Sequence, residues 1–407
     1  MRKIIIDKVS KKITAVNDIY HSHGIKTLIY VTMQYCINLI IRFFRFLLFI
    51  LMLLFIKDNK KLILFCSYEG KSFDDSPKSI FEGMKNDYRF CNYTFVWALI
   101  DINKYDINNA IKVKFGSILY DYYRVKAICY ITNMRIKSCG YRMKSKFYLN
   151  TWHGIPIKKI SGYVDDYSSC DILCAQGPYD ASVLSKALNV DKNNVLICGL
   201  PRNDILVNYN TQIKIDIRKR LKLPENKRII LYCPTWRDYE YDDKHQYINT
   251  SIDFHKWLKI IGNDYIVLYR AHNMINHTAG IEFNDFVFDY SEYSCLSDLM
   301  IISDILISDY SSIFFDYSIL KKPMLCYAYD YNKYEARRGL ILDILNELPC
   351  TVCTKEEILL DQIKNLDVEK SVKNVTAFHD KYIKACGNAT KTCIDLVWKN
   401  IGSVNLQ

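Results

Sequence analysis

The chain has 407 residues, half of them hydrophobic and 24% charged, with only 14 Gly and 8 Pro. That length predicts two or three domains with a sizeable core, and the composition excludes collagen-like, low-complexity and largely disordered chains. The net charge of +11 is uneven: residues 1–61 hold eleven Lys and Arg against Asp7, Asp18 and Asp58, a net +8, which leaves +3 for the other 346 residues. A protein that coats nucleic acid spreads its cations over the folded body. Cations that bracket an apolar stretch point to an anionic membrane surface instead. The 15 cysteines are odd in number and irregular in spacing, and many sit in apolar runs such as Leu64-Phe65-Cys66 and Ile197-Cys198. With no secretory signal ahead of them, they read as small core residues in a reducing cytosol.

The first predicted element is apolar and basic. Residues 46–56 are eleven apolar residues without a break, short of the ~20 that a span requires. Extending the helix back to Leu28 takes in Arg42 and Arg45, each costing about 2.5–3.5 kcal/mol near a bilayer centre. A helix lying in the interface, with both arginines reaching lipid phosphates, is expected instead. From residue 62 onward, short apolar runs alternate with helix-length stretches. Strands are predicted at 62–66, 93–98, 128–131, 147–149, 172–175 and 195–198. A polar, charged stretch at 208–228 follows. A second series then runs through 229–233, 265–269, 304–308 and 323–327. Continuous apolar strands between helices predict parallel sheets covered on both faces, hence two Rossmann-like α/β domains facing a cleft. Ligands in such sheets bind at the carboxyl ends of the strands.

The residues expected at those ends carry chemistry. His153, in Trp152-His153-Gly154-Ile155-Pro156, follows the strand at 147–149 and is placed to take a proton near neutral pH. Arg270 and His272 follow 265–269 at i and i+2, so both reach one point, a pairing suited to a phosphate. Ser311 and Ser312 stand between the strand at 304–308 and an amphipathic helix, where hydroxyls and free N–H groups attract anions. Arg202 and Arg237 follow the last strand of the first series and the first strand of the second. Taken singly, each segment also fits a structural role: a hydrogen-bonded loop histidine, a surface ion pair, a plain helix cap. Gly70-Lys71-Ser72 lacks P-loop spacing. Cys350 and Cys353 form a lone CxxC, and no Asp-x-Asp pair stands at a strand end, so neither a metal nor a cofactor is expected.

In combination and in order, these segments resemble the CDP-glycerol glycerophosphotransferases of teichoic-acid and related capsule synthesis. The matching stretches are Tyr68-Glu69-Gly70-Lys71 with Asp75-Ser76-Pro77-Lys78, and Thr151-Trp152-His153-Gly154-Ile155-Pro156-Ile157-Lys158-Lys159. Next come Gly199-Leu200-Pro201-Arg202-Asn203-Asp204, Pro234-Thr235-Trp236-Arg237 and Arg270-Ala271-His272, then Asp309-Tyr310-Ser311-Ser312-Ile313-Phe314-Phe315-Asp316-Tyr317. The resemblance implies a GT-B-like fold that holds a CDP-polyol donor in its cleft. It implies His153 as base and His272 at the donor phosphates. Trp152, Gly154, Arg202, Pro234, Thr235, Arg237, Arg270, Ser311, Ser312 and Asp316 would make donor contacts. Two departures stand out against the family pattern: Ala271 in place of a proline, and Ile155 where threonine is frequent.

The expected organisation is a membrane-associating segment at 1–57, an acceptor-side domain at 58–210, a CDP-donor domain at 215–390 and a tail at 391–407. The expected activity is transfer of a polyol phosphate, foremost glycerol phosphate, from CDP-glycerol to a hydroxyl of a lipid-linked glycan or polyol-phosphate acceptor. It would release CMP at the cytoplasmic face of the cell membrane, with peripheral attachment and no nucleic-acid partner. A CDP-ribitol transferase, a glycosyltransferase using a nucleotide sugar on the same fold, and a basic membrane scaffold are the competing readings.

Overall fold

The computed structural model describes residues 2–136, 146–160, 167, 169–235, 237, 252–271 and 281–402, and the side chains of these except at 2–24 and 28. The apolar runs form two all-parallel sheets. The first contains Asn59–Cys66 (β1), Thr94–Leu99 (β2), Ile111–Lys114 (β3), Ala127–Thr132 (β4), Phe147–Asn150 (β5), Ile172–Ala175 (β6) and Val195–Ile197 (β7). The second contains Arg228–Cys233 (β8), Tyr265–Tyr269 (β9), Val287–Asp289 (β10), Ile305–Ser308 (β11), Met324–Tyr327 (β12) and Val352–Cys353 (β13). Strand order is β3-β2-β1-β4-β5-β6-β7 in one and β10-β9-β8-β11-β12-β13 in the other. Every residue of β4 and β9 is buried, as covering both faces of a parallel sheet requires. This is the doubly wound α/β architecture expected from the sequence.

Three apolar cores hold the sheets. Under the first, Phe65 stacks on Trp97 with ring centroids 5.5 Å apart, and Phe81 and Phe95 meet Phe65 edge-on. The helix Ala389–Val397 adds Cys393, Ile394 and Val397 to that same core, joined by Ile401. The segment expected as a tail from residue 391 is thus part of the first core, because its apolar residues recur at helical spacing and face one side. The polar stretch at 208–228 contains a helix, Thr211–Arg220, capped by the Asn210 side chain and buried through Ile217.

The chain divides into two compact units, of which the first holds residues up to Asp58 together with 116–126. Its main element is a single helix, Arg2–Phe55 (α1). The part from Ile25 to Phe55 is 31 residues long, and its apolar window has a mean hydropathy of 2.3. By length and composition it is able to cross a membrane. Arg42 is exposed. Arg45, expected to reach lipid phosphates, instead pairs with Asp121 at 2.5 Å on the helix Ile118–Lys126 (α2). Arg124 lies 4.5 Å from the ring centre of Phe49, which is buried. A charge in the apolar segment is met by an acid from elsewhere in the chain, a reason the local sequence does not disclose.

Because Trp97 is fully buried among aromatic rings, Trp97→Ala is expected to cost about 3–5 kcal/mol of stability. A lowered midpoint in urea unfolding followed by circular dichroism would show it.

Candidate active site

In both sheets the strand order reverses beside the first strand, between β1 and β4 and between β8 and β11. Such points open a crevice at the carboxyl ends of the strands. The two crevices are built alike. Two residues past β1, the Tyr68 N–H donates to Asn133 Oδ1 (2.8 Å), one residue past β4. Two residues past β8, the Thr235 N–H donates to Asp309 Oδ1 (2.9 Å), one residue past β11. A side chain from one loop therefore pins the backbone of the other in each sheet.

Between the sheets stands Arg202, in the turn after β7. Its guanidinium bonds Asp75 Oδ2 at 2.5 Å and Asp316 Oδ2 at 2.6 Å. Asp75 begins the helix Asp75–Lys85 of the first sheet, and Asp316 lies in Ile313–Ser318 of the second. Tyr68 donates its phenol to Asp75, and Asn203 donates to both Asp316 (2.7 Å) and Gln176 (3.0 Å). Burial alone would raise the Asp75 carboxyl. The Arg202 charge and the bonds from Tyr68 and the Ser76 N–H outweigh it and hold the group below the usual carboxylate range. Burial likewise opposes the charge on Arg202, and Asp316 and Asp75 keep it firmly protonated.

His153 sits beside this cluster. Its ring lies 4.1 Å from that of Trp152 and 6.0 Å from that of Tyr68. Nδ1 meets the Asn133 carbonyl oxygen at 2.9 Å. A carbonyl only accepts, so Nδ1 carries the proton and Nε2 keeps its lone pair. Burial pulls the imidazole below its ordinary value, against the Asn133 carbonyl and Asp75, which favour the proton. The loop then crosses to the second sheet. Lys158 bridges Leu340 in antiparallel fashion, and Ile157 O accepts from the Ile341 N–H at 2.7 Å. Ile155, where the family frequently has threonine, is fully buried in the second sheet's core. Gly154 has φ +136°, and a Cβ there would lie 2.5 Å from Ser312 Oγ and 3.3 Å from Arg202 Nη2. Only glycine lets the loop pass this close. Several neighbours hold left-handed backbone as well: Tyr68, Glu69, Asp75 and Trp152 have φ between 48° and 64°. For residues with a side chain this costs about 1–2 kcal/mol each, strain of the kind that gathers at functional sites.

On the second sheet Ser311 Oγ accepts from the Ile313 N–H (3.3 Å), and Ser312 caps nothing with its side chain. Thr235 is 6% exposed, and its buried hydroxyl has no hydrogen-bond partner among the described residues; Pro234 beside it is buried. Arg237 departs from the expected donor contact. It is 1% exposed, bonded to Asp309 and Asp330 at 2.8 Å each and to the Thr235 carbonyl, beside the stacked rings of Tyr310 and Tyr334. Its donors face inward, so it fixes the Asp309-Tyr310-Ser311-Ser312 turn from behind. Arg270 donates to the carbonyls of Tyr290 and Tyr293. Its charge also reaches Asp74, whose carboxyl burial pushes up to about 6. His272 and Trp236 lie outside the described residues.

The geometry thus gathers His153, Gly154, Arg202, Ser312 and Asp316. Sequence reasoning gave no role to Tyr68, Asn133, Asn203 or Gln176. Tyr68 and Asn133 lie two residues past predicted strands and Gln176 one, the signal that could have found them.

Two facing Rossmann-like sheets, each opening a crevice at its switch point, define the GT-B-like class. The chain belongs to the CDP-Glycerol:Poly(glycerophosphate) glycerophosphotransferase family, whose sequence profile matches residues 48–399. It is 34% identical over 374 residues to a teichoic acid poly(glycerol phosphate) polymerase of Staphylococcus epidermidis, covering 85% of this chain and 52% of that protein. The chain therefore spans about half the length of that relative. A teichoic acid glycerol-phosphate transferase of Staphylococcus aureus is 31% identical over 350 residues, 80% of this chain and 89% of its own length. The structure of the wall teichoic acid polymerase TagF superposes with a TM-score of 0.81 at 32% identity, over 91% of this chain and 97% of that one. A TagF variant soaked with CDPG gives 0.78 at 32%, over 86% and 91%.

Gly154→Ala is expected to push the His153 loop off Ser312 and lower turnover by ~10²-fold while the protein stays folded; steady-state rates beside circular dichroism check this. Asp75 has a folded pKa below its unfolded one. Its contribution is present above the ordinary carboxylate range and is lost as pH falls through the folded value. Asp75→Asn should cost about 3–5 kcal/mol near neutral pH, leaving Arg202 half paired, and should flatten the loss of stability seen in unfolding curves taken toward pH 3.

Proposed function

We propose that the chain transfers glycerol phosphate from CDP-glycerol to a hydroxyl of a membrane-linked acceptor, releasing CMP, in the synthesis of a teichoic-acid type polymer. The observation that carries this is an imidazole, His153, whose pKa burial lowers, beside Tyr68 and the Asp75–Arg202 pair, in a loop whose Gly154 passes against Ser312. The family membership supplies the donor class. In the reaction, the acceptor oxygen attacks the phosphorus that bears glycerol, and the bond from that phosphorus to the CMP oxygen breaks. His153 Nε2 takes the acceptor's proton. Arg202, the Ser311 and Ser312 hydroxyls and the unpartnered Thr235 hydroxyl face the diphosphate, where charge builds up. Arg270 and His272 add positive charge on the side of β9. Asp316 orients Arg202, and Arg237 holds the serine turn.

The donor is tested by supplying CDP-glycerol, CDP-ribitol and nucleotide sugars to the purified protein with a lipid-linked acceptor analogue. CMP from CDP-glycerol is expected; UDP or GDP from sugar donors would favour the glycosyltransferase reading. His153→Ala should lower kcat by ~10²–10⁴-fold with donor affinity by calorimetry nearly unchanged. Because burial lowers the imidazole's pKa, the acid limb of kcat/KM should fall below the ordinary histidine value of ~6.5.

Attachment to an anionic membrane surface belongs to the same proposal. The exposed apolar residues of α1, from Ile25 to Phe55, and the +8 charge around them are two signals, as stable anchoring requires. The Arg45–Asp121 pair favours a helix lying on the bilayer over one crossing it, since α2 and its charges travel with that part of α1. Leu54 and Phe55 are 71% and 79% exposed. Replacing both with Asp should release the protein from anionic vesicles in a flotation assay and leave transfer to a soluble acceptor analogue intact. High salt alone should strip the unaltered protein only in part, because apolar contact is not screened.

A further inference from the structure

Three cysteines outside the cleft meet in the core of the first sheet. Cys174 is on β6, Cys198 directly follows β7, and Cys393 is on the helix Ala389–Val397. All three are buried. Their Sγ atoms lie within 4.8 Å of one another, and those of Cys174 and Cys393 are 3.8 Å apart. A trivalent centre with a lone pair sits above the plane of its three sulfurs, so bonds of about 2.3 Å to thiolate need only that the sulfurs draw in from these separations. We propose that Cys174, Cys198 and Cys393 form a tri-thiol site for a trivalent metalloid of the arsenous-acid class, one per chain.

Charge selects the class of ion. Three thiolates around a divalent ion leave a net −1, and around a monovalent ion a net −2, in a core that penalises unpaired charge. The Asp204 carboxylate beside Cys198 and Cys393 adds one more negative charge to that balance. Asp204 is itself committed to the Ala389 and Thr390 N–H groups, at 2.9 and 2.7 Å. A trivalent centre with three thiolates is neutral. The exchange balances without redox change: three As–O and three S–H bonds break, three As–S bonds form, and three waters leave. Each thiol that reacts gives its proton to one departing hydroxyl, and a ligand that starts as thiolate leaves the remaining proton to be drawn from solvent. Access requires the terminal helix to lift, a local opening rather than global unfolding. Once bound, the ion ties that helix to two strands of the sheet.

The test uses the full chain, incubated with arsenite and desalted. One arsenic per chain is expected by elemental analysis, with three sulfur neighbours by X-ray absorption and a raised thermal midpoint. Cys198→Ala and Cys393→Ala should each lower retained arsenic at least tenfold. The double variant Cys36→Ala with Cys91→Ala, which removes two exposed thiols, should retain it in full. Two sulfur neighbours with one oxygen, or undiminished retention in Cys198→Ala, would assign the binding to a dithiol such as Cys350 with Cys353 and overturn the proposal. Retention of zinc but not arsenite by the same three residues would overturn the choice of a trivalent ion. The absorption measurement on the unaltered protein stands even where a variant does not fold.

Discussion

One guanidinium between two carboxylates organises the cleft. Arg202 takes Asp75 from the first sheet and Asp316 from the second, and Tyr68, Ser76, Asn203 and Gln176 complete the hydrogen bonding around them. A buried pair of this kind is not a large net source of stability, because desolvation offsets most of the attraction. Its effect is specificity: it permits one relative placement of the two strand ends and penalises the rest. Two acids also outnumber one base. The cluster itself is therefore net negative, and Arg270 at the end of β9 adds a cation whose charge reaches Asp74 on the first sheet's side.

The repeated fastening of the switch points gives the same constraint at the level of backbone. Asn133 and Asp309 occupy equivalent places after equivalent strands and do equivalent work on Tyr68 and Thr235. The repeat ends there. Asn133 also presents its carbonyl to His153, which sets the tautomer, whereas Asp309 binds Arg237, which braces the serine turn. One architecture thus fixes an imidazole tautomer on one side and a serine turn on the other.

Much of the fold was legible because buried parallel strands are continuous apolar runs. All ten predicted strands are present, from Leu62 to Tyr327. The unpredicted ones, β3, β10 and β13, are two to four residues long and lie at or near the sheet edges, where Ile111-Lys112-Val113-Lys114 and Val287-Phe288-Asp289 carry too little hydrophobic signal. At the site, the motifs pointed to His153, Arg202 and Asp316 but not to what links them. The partners of Arg202 are more than a hundred residues away in sequence, and no local pattern reports such a contact. Arg237 shows the opposite limit. Its position after β8 suggested a ligand contact, and only the burial of its side chain reveals a structural cation. Arg45 is similar, its acid partner lying 76 residues on.

The return of the last helix to the first sheet bears on how the protein is made. Ile394, Val397 and Ile401 finish a core that Ile63 and Phe65 begin, so the first domain stays open at one face until residue 401 has left the ribosome. Domains usually close in order during synthesis; here the second can close before the first. The exposed apolar surface that waits meanwhile is a target for chaperones or for the membrane, and a chain interrupted near residue 380 would carry every residue of the cleft without the support beneath Asp75.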